Sequence, residues 1–136
     1  MTGKLLYLDS SAILKVAVSE PESKALFELL GDWPLRVSSE LSRTEVLRAL
    51  RRAGASPAAF RRGQKILDRI GMMPVDTRIL GDAAAVKPAE LRSLDAIHLA
   101  SALSLRDELA AVVTYDTRLS VASAGAGLNV WSPGLK

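Results

Sequence analysis

The feature that most constrains this chain is a set of short apolar runs separated by segments of helical periodicity. The clearest run is Leu109-Ala-Ala-Val-Val-Thr-Tyr115, apolar almost without a break. A strand that is apolar on both faces must be covered on both, which marks a parallel sheet lying between helices. Lys4–Leu8, Leu35–Ser38, Met72–Val75 and Leu128–Trp131 read as its companions, the third weakened by Pro74. Helices are predicted over Ala12–Val18, from Ser19-Glu20-Pro21-Glu22 through Leu30, and from Glu40 to Ala53 behind a Ser39 cap. Further helices run from Pro57 to Ile70 behind Ser56, after an Asp76 or Thr77 cap up to Pro88, from Leu94 to Asp107 behind Ser93, and over Arg118–Ala124. Strands alternating with helices predict an α/β protein, a three-layer α/β/α sandwich with a mainly parallel central sheet. At 136 residues, without a linker or internal repeat, residues 1–136 read as one domain.

Composition narrows the chemistry. There is no cysteine, so disulfides, thiolate metal sites and a cysteine nucleophile are excluded, and a single histidine, His98, excludes His-rich metal sites. A catalytic metal would have to sit among carboxylates, which favours hard ions such as Mg²⁺ or Mn²⁺. The N-terminal Met1–Asp9 segment lacks the apolar stretch and cleavage site of a signal peptide. No run approaches the ~18 apolar residues of a membrane span. A soluble, cytoplasmic protein with no membrane association is expected.

In open parallel sheets, functional groups gather outside the carboxyl ends of the strands. Asp9 follows the first predicted strand directly and Asp116 follows the fourth. Each position has two readings, helix N-cap or functional acid, and Asp76, after the third strand, has the same ambiguity. Asp95 lies on the apolar side of its helix, in the first turn, where the helix dipole favours a negative charge. Glu45 lies at the margin of a buried stripe, where an intrahelical pair with Arg48 is the local alternative. Four converging carboxylates would repel, each pair by about 4 kcal/mol at ~4 Å and an effective dielectric of ~20. Divalent metal is the simplest resolution, and two ions ~3.5–4 Å apart would clamp an in-line displacement at phosphorus.

The segments Leu8-Asp9-Ser10-Ser11-Ala12, Arg43-Thr44-Glu45-Val46-Leu47-Arg48-Ala49-Leu50, Leu94-Asp95-Ala96-Ile97-His98-Leu99-Ala100 and Val113-Thr114-Tyr115-Asp116-Thr117-Arg118-Leu119 resemble, in order and spacing, the PIN-domain ribonucleases. In particular they resemble the VapC toxins of type II toxin–antitoxin pairs. The resemblance implies Asp9, Glu45, Asp95 and Asp116 as an acidic quartet around Mg²⁺ or Mn²⁺, with Asp9 and Asp95 as direct ligands. Glu45 and Asp116 would complete the site through a second metal or by orienting the nucleophilic water. It also implies endonucleolytic cleavage of RNA that leaves 3′-hydroxyl and 5′-phosphate ends. Ser10 and Thr114, beside the acids, are candidate supporting hydroxyls, with backbone capping or strand packing as the alternative. The implied partners are a VapB-like antitoxin, whose C-terminal segment would cover the acids, and a second copy of the chain, giving a toxin–antitoxin hetero-oligomer. The Ala12–Leu30 helical pair and the Glu40–Ala53 helix are the expected walls of the antitoxin groove.

Net charge is +3, unevenly spread. Seven Arg and Lys65 lie between Arg43 and Arg69 against only Glu45 and Asp68. The stretch reads as a solvated helical face or as a phosphate-contacting surface, with Arg48, Arg51, Arg52, Arg61 and Arg62 as the contacts. With aromatics at 4%, base stacking is not the expected mode of recognition. His98 reads as a packed, hydrogen-bonded core residue, and Trp33 and Trp131 are placed at the sheet edges. The competing functions are a PIN-type RNA-processing nuclease without an antitoxin, an inactive PIN-type binding module, and a phosphoryl-accepting receiver domain. The last lacks its acidic pair after the first strand and its lysine after the last. Phosphate-binding, dinucleotide and nucleophile-elbow motifs are absent.

Overall fold

The computed structural model describes residues 3–136. Met1 and Thr2, the start of the segment read above as free of a leader, lie outside the described residues. Five parallel strands form one sheet: β1 (Leu5–Leu8), β2 (Arg36–Ser39), β3 (Gly71–Met73), β4 (Leu109–Val113) and β5 (Val130–Trp131). Their spatial order is β3-β2-β1-β4-β5. The connections carry α1 (Ser10–Ala17) and α2 (Ser23–Asp32), then α3 (Leu41–Arg52) and α4 (Pro57–Arg69), then α5 (Thr77–Ala85) and α6 (Ser93–Leu103), and last α7 (Thr117–Gly125). The result is the expected three-layer α/β/α architecture.

Alternation along β1 divides the core between the two layers. Leu6 and Leu8 pack with Ile13, Leu26, Val46, Leu50 and Leu67 on the α1–α4 side. Tyr7 turns to the other face, against Ala102 of α6 and Val112 of β4. Strands β1 and β4 register Tyr7 on Val112 and Leu8 on Val113, so residues that follow them leave the sheet together at its carboxyl edge. At Gly63 a side chain would have its Cβ 2.7 Å from Leu50 Cδ1, and this absence of a Cβ lets α4 lie close on α3. None of the described helices is long and apolar enough to cross a membrane.

Several boundaries differ from the sequence reading for local reasons. Strand β3 begins at Gly71 and stops at Met73, because Pro74 has no N–H for the ladder. Helix α6 ends at Leu103, where Leu105 and Arg106 donate to carbonyls three residues back. That tightening delivers the Glu108 carbonyl to the N–H groups of Lys4 and Leu5. Arg92 and Glu40 hold the N-cap positions expected of Ser93 and Ser39, without a side-chain cap of their own, while the Ser39 hydroxyl still accepts from the N–H of Leu41, the first residue of α3, at 3.1 Å. Strand β4 ends at Val113, two residues early: the Thr114 N–H still donates to Trp131 of β5, but the Tyr115 N–H turns to Ser11 of α1. Trp33 and Trp131 pack edge to face on each other, ring centres 5.3 Å apart, tying the end of α2 to the edge strand β5.

Candidate active site

Asp9 is both the N-cap of α1 and the most buried acid at the carboxyl edge. Its Oδ1 accepts from the Ala12 N–H at 3.0 Å and from the Ser11 hydroxyl at 2.7 Å. Its Oδ2 accepts from the Thr114 hydroxyl at 2.6 Å. The cap and the functional reading, which the sequence left as alternatives, are compatible: a carboxylate has about four acceptor positions, and one on Oδ2 is left over. Burial pushes the Asp9 carboxyl above the usual carboxylate range, opposed by His98 and by these hydrogen bonds.

Ser11 and Thr114 knit α1 to the segment after β4. The Ser11 oxygen accepts from the Tyr115 N–H at 2.9 Å, and the Thr114 oxygen accepts from the Asp116 N–H at 3.0 Å. Thr114 is fully buried. Of the two hydroxyls singled out in the sequence, Thr114 holds Asp9, whereas Ser10 lines the cleft without a hydrogen bond to an acid. Ser11 makes the bond instead. Its place two residues after an N-cap Asp, in the first helical turn, was the signal available in the sequence.

Asp116 caps α7, its Oδ1 accepting from the Leu119 N–H at 3.0 Å. Asp95, in the first turn of α6, is held differently. Its side chain is only 14% exposed, and its Oδ2 is buried without a hydrogen-bond partner. The nearest cation is Arg92, whose Nε lies 3.6 Å away, beyond hydrogen-bonding range. Burial, and then the charge of Asp116, push the Asp95 carboxyl up.

Glu45 of α3 does not pair with Arg48. Its Oε1 accepts from Nε2 of His98 at 2.6 Å, and Nδ1 of His98 meets the Tyr7 hydroxyl at 2.7 Å. The Tyr7 phenol is kept protonated, its pKa raised well above 10 by burial and by the Asp9 charge. Both ring nitrogens of His98 are thus engaged, one by Tyr7 and one by Glu45. His98 is packed and hydrogen-bonded as expected, yet it also lines the acid cleft and holds one of its carboxylates.

The four acids thus arrive from four separate elements and line one cleft of about 320 Å³, with Ser10, Ser11, Arg92, Ser93, Leu94 and His98. A larger depression of about 570 Å³ between α5 and α6 contains no acid. Among the described residues, no group of three or more His, Cys, Asp or Glu side chains is drawn close enough to cage a metal ion. What the cleft offers is an all-oxygen, anionic donor set with an orphaned Asp95 oxygen. That suits a hard divalent cation that keeps several waters and needs only one or two carboxylates, and does not suit a closed protein cage.

The PIN domain family model matches residues 6–124. The chain belongs to the PIN-domain family. Within it, the VapC relatives cover nearly its whole length. It is 47% identical over 128 residues to ribonuclease VapC46 of Mycobacterium tuberculosis, spanning 94% of this chain and 97% of that one. It is 39% identical over 134 residues to ribonuclease VapC47 of the same species, spanning 96% and 98%. This PIN-domain chain also shares its fold with a toxin–antitoxin complex from Klebsiella pneumoniae (TM-score 0.69, 20% identity, 94% of this chain and 97% of that one). It does so too with M. tuberculosis VapC20, a sarcin–ricin loop cleaving toxin (TM-score 0.69, 16% identity, 86% and 94%).

The predicted phosphate contacts are scattered over the α3–α4 surface of this PIN domain. Arg48, Arg52 and Arg61 are exposed and form no salt bridge among the described residues. Arg51 lies over the Phe60 ring, and Arg62 donates to the Ala17 carbonyl at 3.1 Å. None of the five lines the acid cleft.

Proposed function

We propose that this chain is the toxin of a VapBC-type toxin–antitoxin pair, a cytoplasmic single-domain endoribonuclease that hydrolyses RNA with Mg²⁺, or Mn²⁺, at Asp9, Glu45, Asp95 and Asp116. The observation that carries this reading is the convergence of these acids in one open cleft, with an Asp95 oxygen left buried and unpartnered. A bound divalent cation would supply charge neutralisation and a more acidic water. Asp9, through its remaining Oδ2 position, and Asp95 would hold it directly, with Asp116 completing the site. Glu45, fixed by His98, orients the attacking water. Both nitrogens of His98 are committed to Tyr7 and Glu45, so the imidazole is not free to take the water's proton. Attack of water on phosphorus with departure of O3′ leaves 3′-hydroxyl and 5′-phosphate ends.

RNA phosphates would meet the exposed guanidinium groups of Arg48, Arg52 and Arg61, with Arg51 and Arg62 at the margin. A VapB-like antitoxin would cover the acids with its C-terminal segment, between the α1–α2 pair and α3, and the cleft of about 340 Å³ lined by Val16 of α1, Phe27 and Leu30 of α2, and Ile66 and Arg69 of α4 offers it a further apolar surface. A homodimer completes the toxin–antitoxin hetero-oligomer.

The test is incubation of total RNA with the purified chain in Mg²⁺ or Mn²⁺, with EDTA, and beside Asp9→Asn and Asp95→Asn. Metal-dependent cutting abolished by either variant supports the proposal. Intact RNA with folded, antitoxin-free wild type in both metals overturns it.

A further inference from the structure

Among the described residues, Arg92 is the only lysine or arginine that lines the acid cleft, and it is held loosely. Its guanidinium lies 3.6 Å from Asp95 Oδ2 and 4.0 Å from Asp116 Oδ2, so it faces two acids from different elements without a hydrogen bond to either. The side chain is 63% exposed and has room to turn. Asp95 Oδ2 counts as unpartnered even with Arg92 beside it.

We propose that Arg92 is a counter-ion built into the cleft that exchanges partners: it bridges Asp95 and Asp116 when no divalent cation is bound, and turns to the RNA phosphate once a cation occupies those carboxylates. The inference rests on the nuclease reading above. Arginine is suited to both positions, because its charge is permanent and its planar fork of donors fits a carboxylate or a phosphate. A cleft of four acids repels a phosphodiester, and a divalent cation alone does not balance acids and phosphate together. The loose contacts mean that a divalent cation displaces a neighbour that is not hydrogen-bonded. A tight bidentate pair would instead block the site.

Two effects of opposite sign follow, which no merely structural role produces. Removing the Arg92 charge strengthens metal binding by removing a competitor and slows RNA cleavage by removing a phosphate contact. The experiment uses the full chain free of antitoxin, as wild type, Arg92→Gln, Arg92→Lys and Asp95→Asn, with folding checked by thermal melts. Mn²⁺ affinity is measured without RNA from the loss of the free-ion paramagnetic resonance signal, and cleavage is measured at saturating Mn²⁺. Arg92→Gln should bind Mn²⁺ roughly 3- to 10-fold more tightly, the effect of one neighbouring charge in a water-rich setting. It should cleave about 100-fold more slowly, and Arg92→Lys should fall between. Mn²⁺ affinity unchanged or weakened in Arg92→Gln, or cleavage within about twofold of wild type, overturns the inference while leaving the nuclease reading intact. A wild type that neither cuts RNA nor binds Mn²⁺ better than Asp95→Asn overturns the nuclease reading itself, and this inference with it.

Discussion

The two sides of the acid cleft are built on opposite terms. On the β1 side, Asp9 accepts three hydrogen bonds, caps a helix and ties α1 to the segment after β4. On the α6 side, Asp95 keeps a buried oxygen with no partner and faces a second acid. The first carboxylate is a fastener of the fold that also presents an oxygen to the cleft. The second adds nothing to the fold that a neutral side chain would not add, and its unspent interaction is available to a ligand. A site that pairs one rigid acid with one unsatisfied acid is positioned by the first and given its affinity by the second.

The largest test of this contrast is Asp9→Ala, which removes the α1 cap and strands the Ser11 and Thr114 hydroxyls. Urea unfolding should show a loss of about 2–3 kcal/mol, with Asp9→Asn recovering the cap. Thr114→Val deletes the donor to Asp9 and the acceptor for the Asp116 N–H, and should cost about 1–2 kcal/mol; Thr114→Ser should restore most of it. Asp95→Asn should move the other way, raising the Tm of the metal-free protein by a few degrees, because one of two facing carboxylate charges, buried and without a hydrogen bond, is gone. Millimolar Mg²⁺ should close that gap by stabilising wild type alone. If Asp95→Asn destabilises as much as Asp9→Ala, the contrast does not exist.

The smallest effect lies in pH. Asp9 and Asp95 both have carboxyl pKa values raised above 3.8 in the fold, first by burial. A group raised in this way binds its proton more readily folded than unfolded. Its ionised form therefore costs stability fully above the folded pKa, and that cost is relieved as pH falls through it. The Tm advantage of Asp95→Asn over wild type should be greatest at neutral pH and shrink on mild acidification, as read by melts across that interval.

The sequence carried the architecture because apolar strands and helix periodicity are local signals. Asp9 and Asp116 could be found from where strands end, and Asp95 from its place on an apolar face. What the sequence concealed was partnership. Glu45 had Arg48 one turn away, but it meets His98 from another layer of the sandwich, and no local period carries a contact across 53 positions. Residues 114 and 115 looked like strand because they are apolar or β-branched, and Thr114 does still donate its N–H to Trp131, but the Tyr115 N–H goes to Ser11 and the ladder stops. The end of α6 was overrun for a similar reason: the Glu108 carbonyl is needed by β1, which helix propensity does not register.

The bond between Thr114 and Asp9 spans 105 positions of the chain, and the strands beneath it, β1 and β4, are neighbours only in the finished sheet. Contacts so distant in sequence carry the loop-closure cost of nearly the whole polymer before they return anything. The Asp9 side of the acid cleft therefore depends on the β1–β4 pairing, and a fragment or a chain nicked between the two strands should lose the site unless the pieces reassemble that pairing.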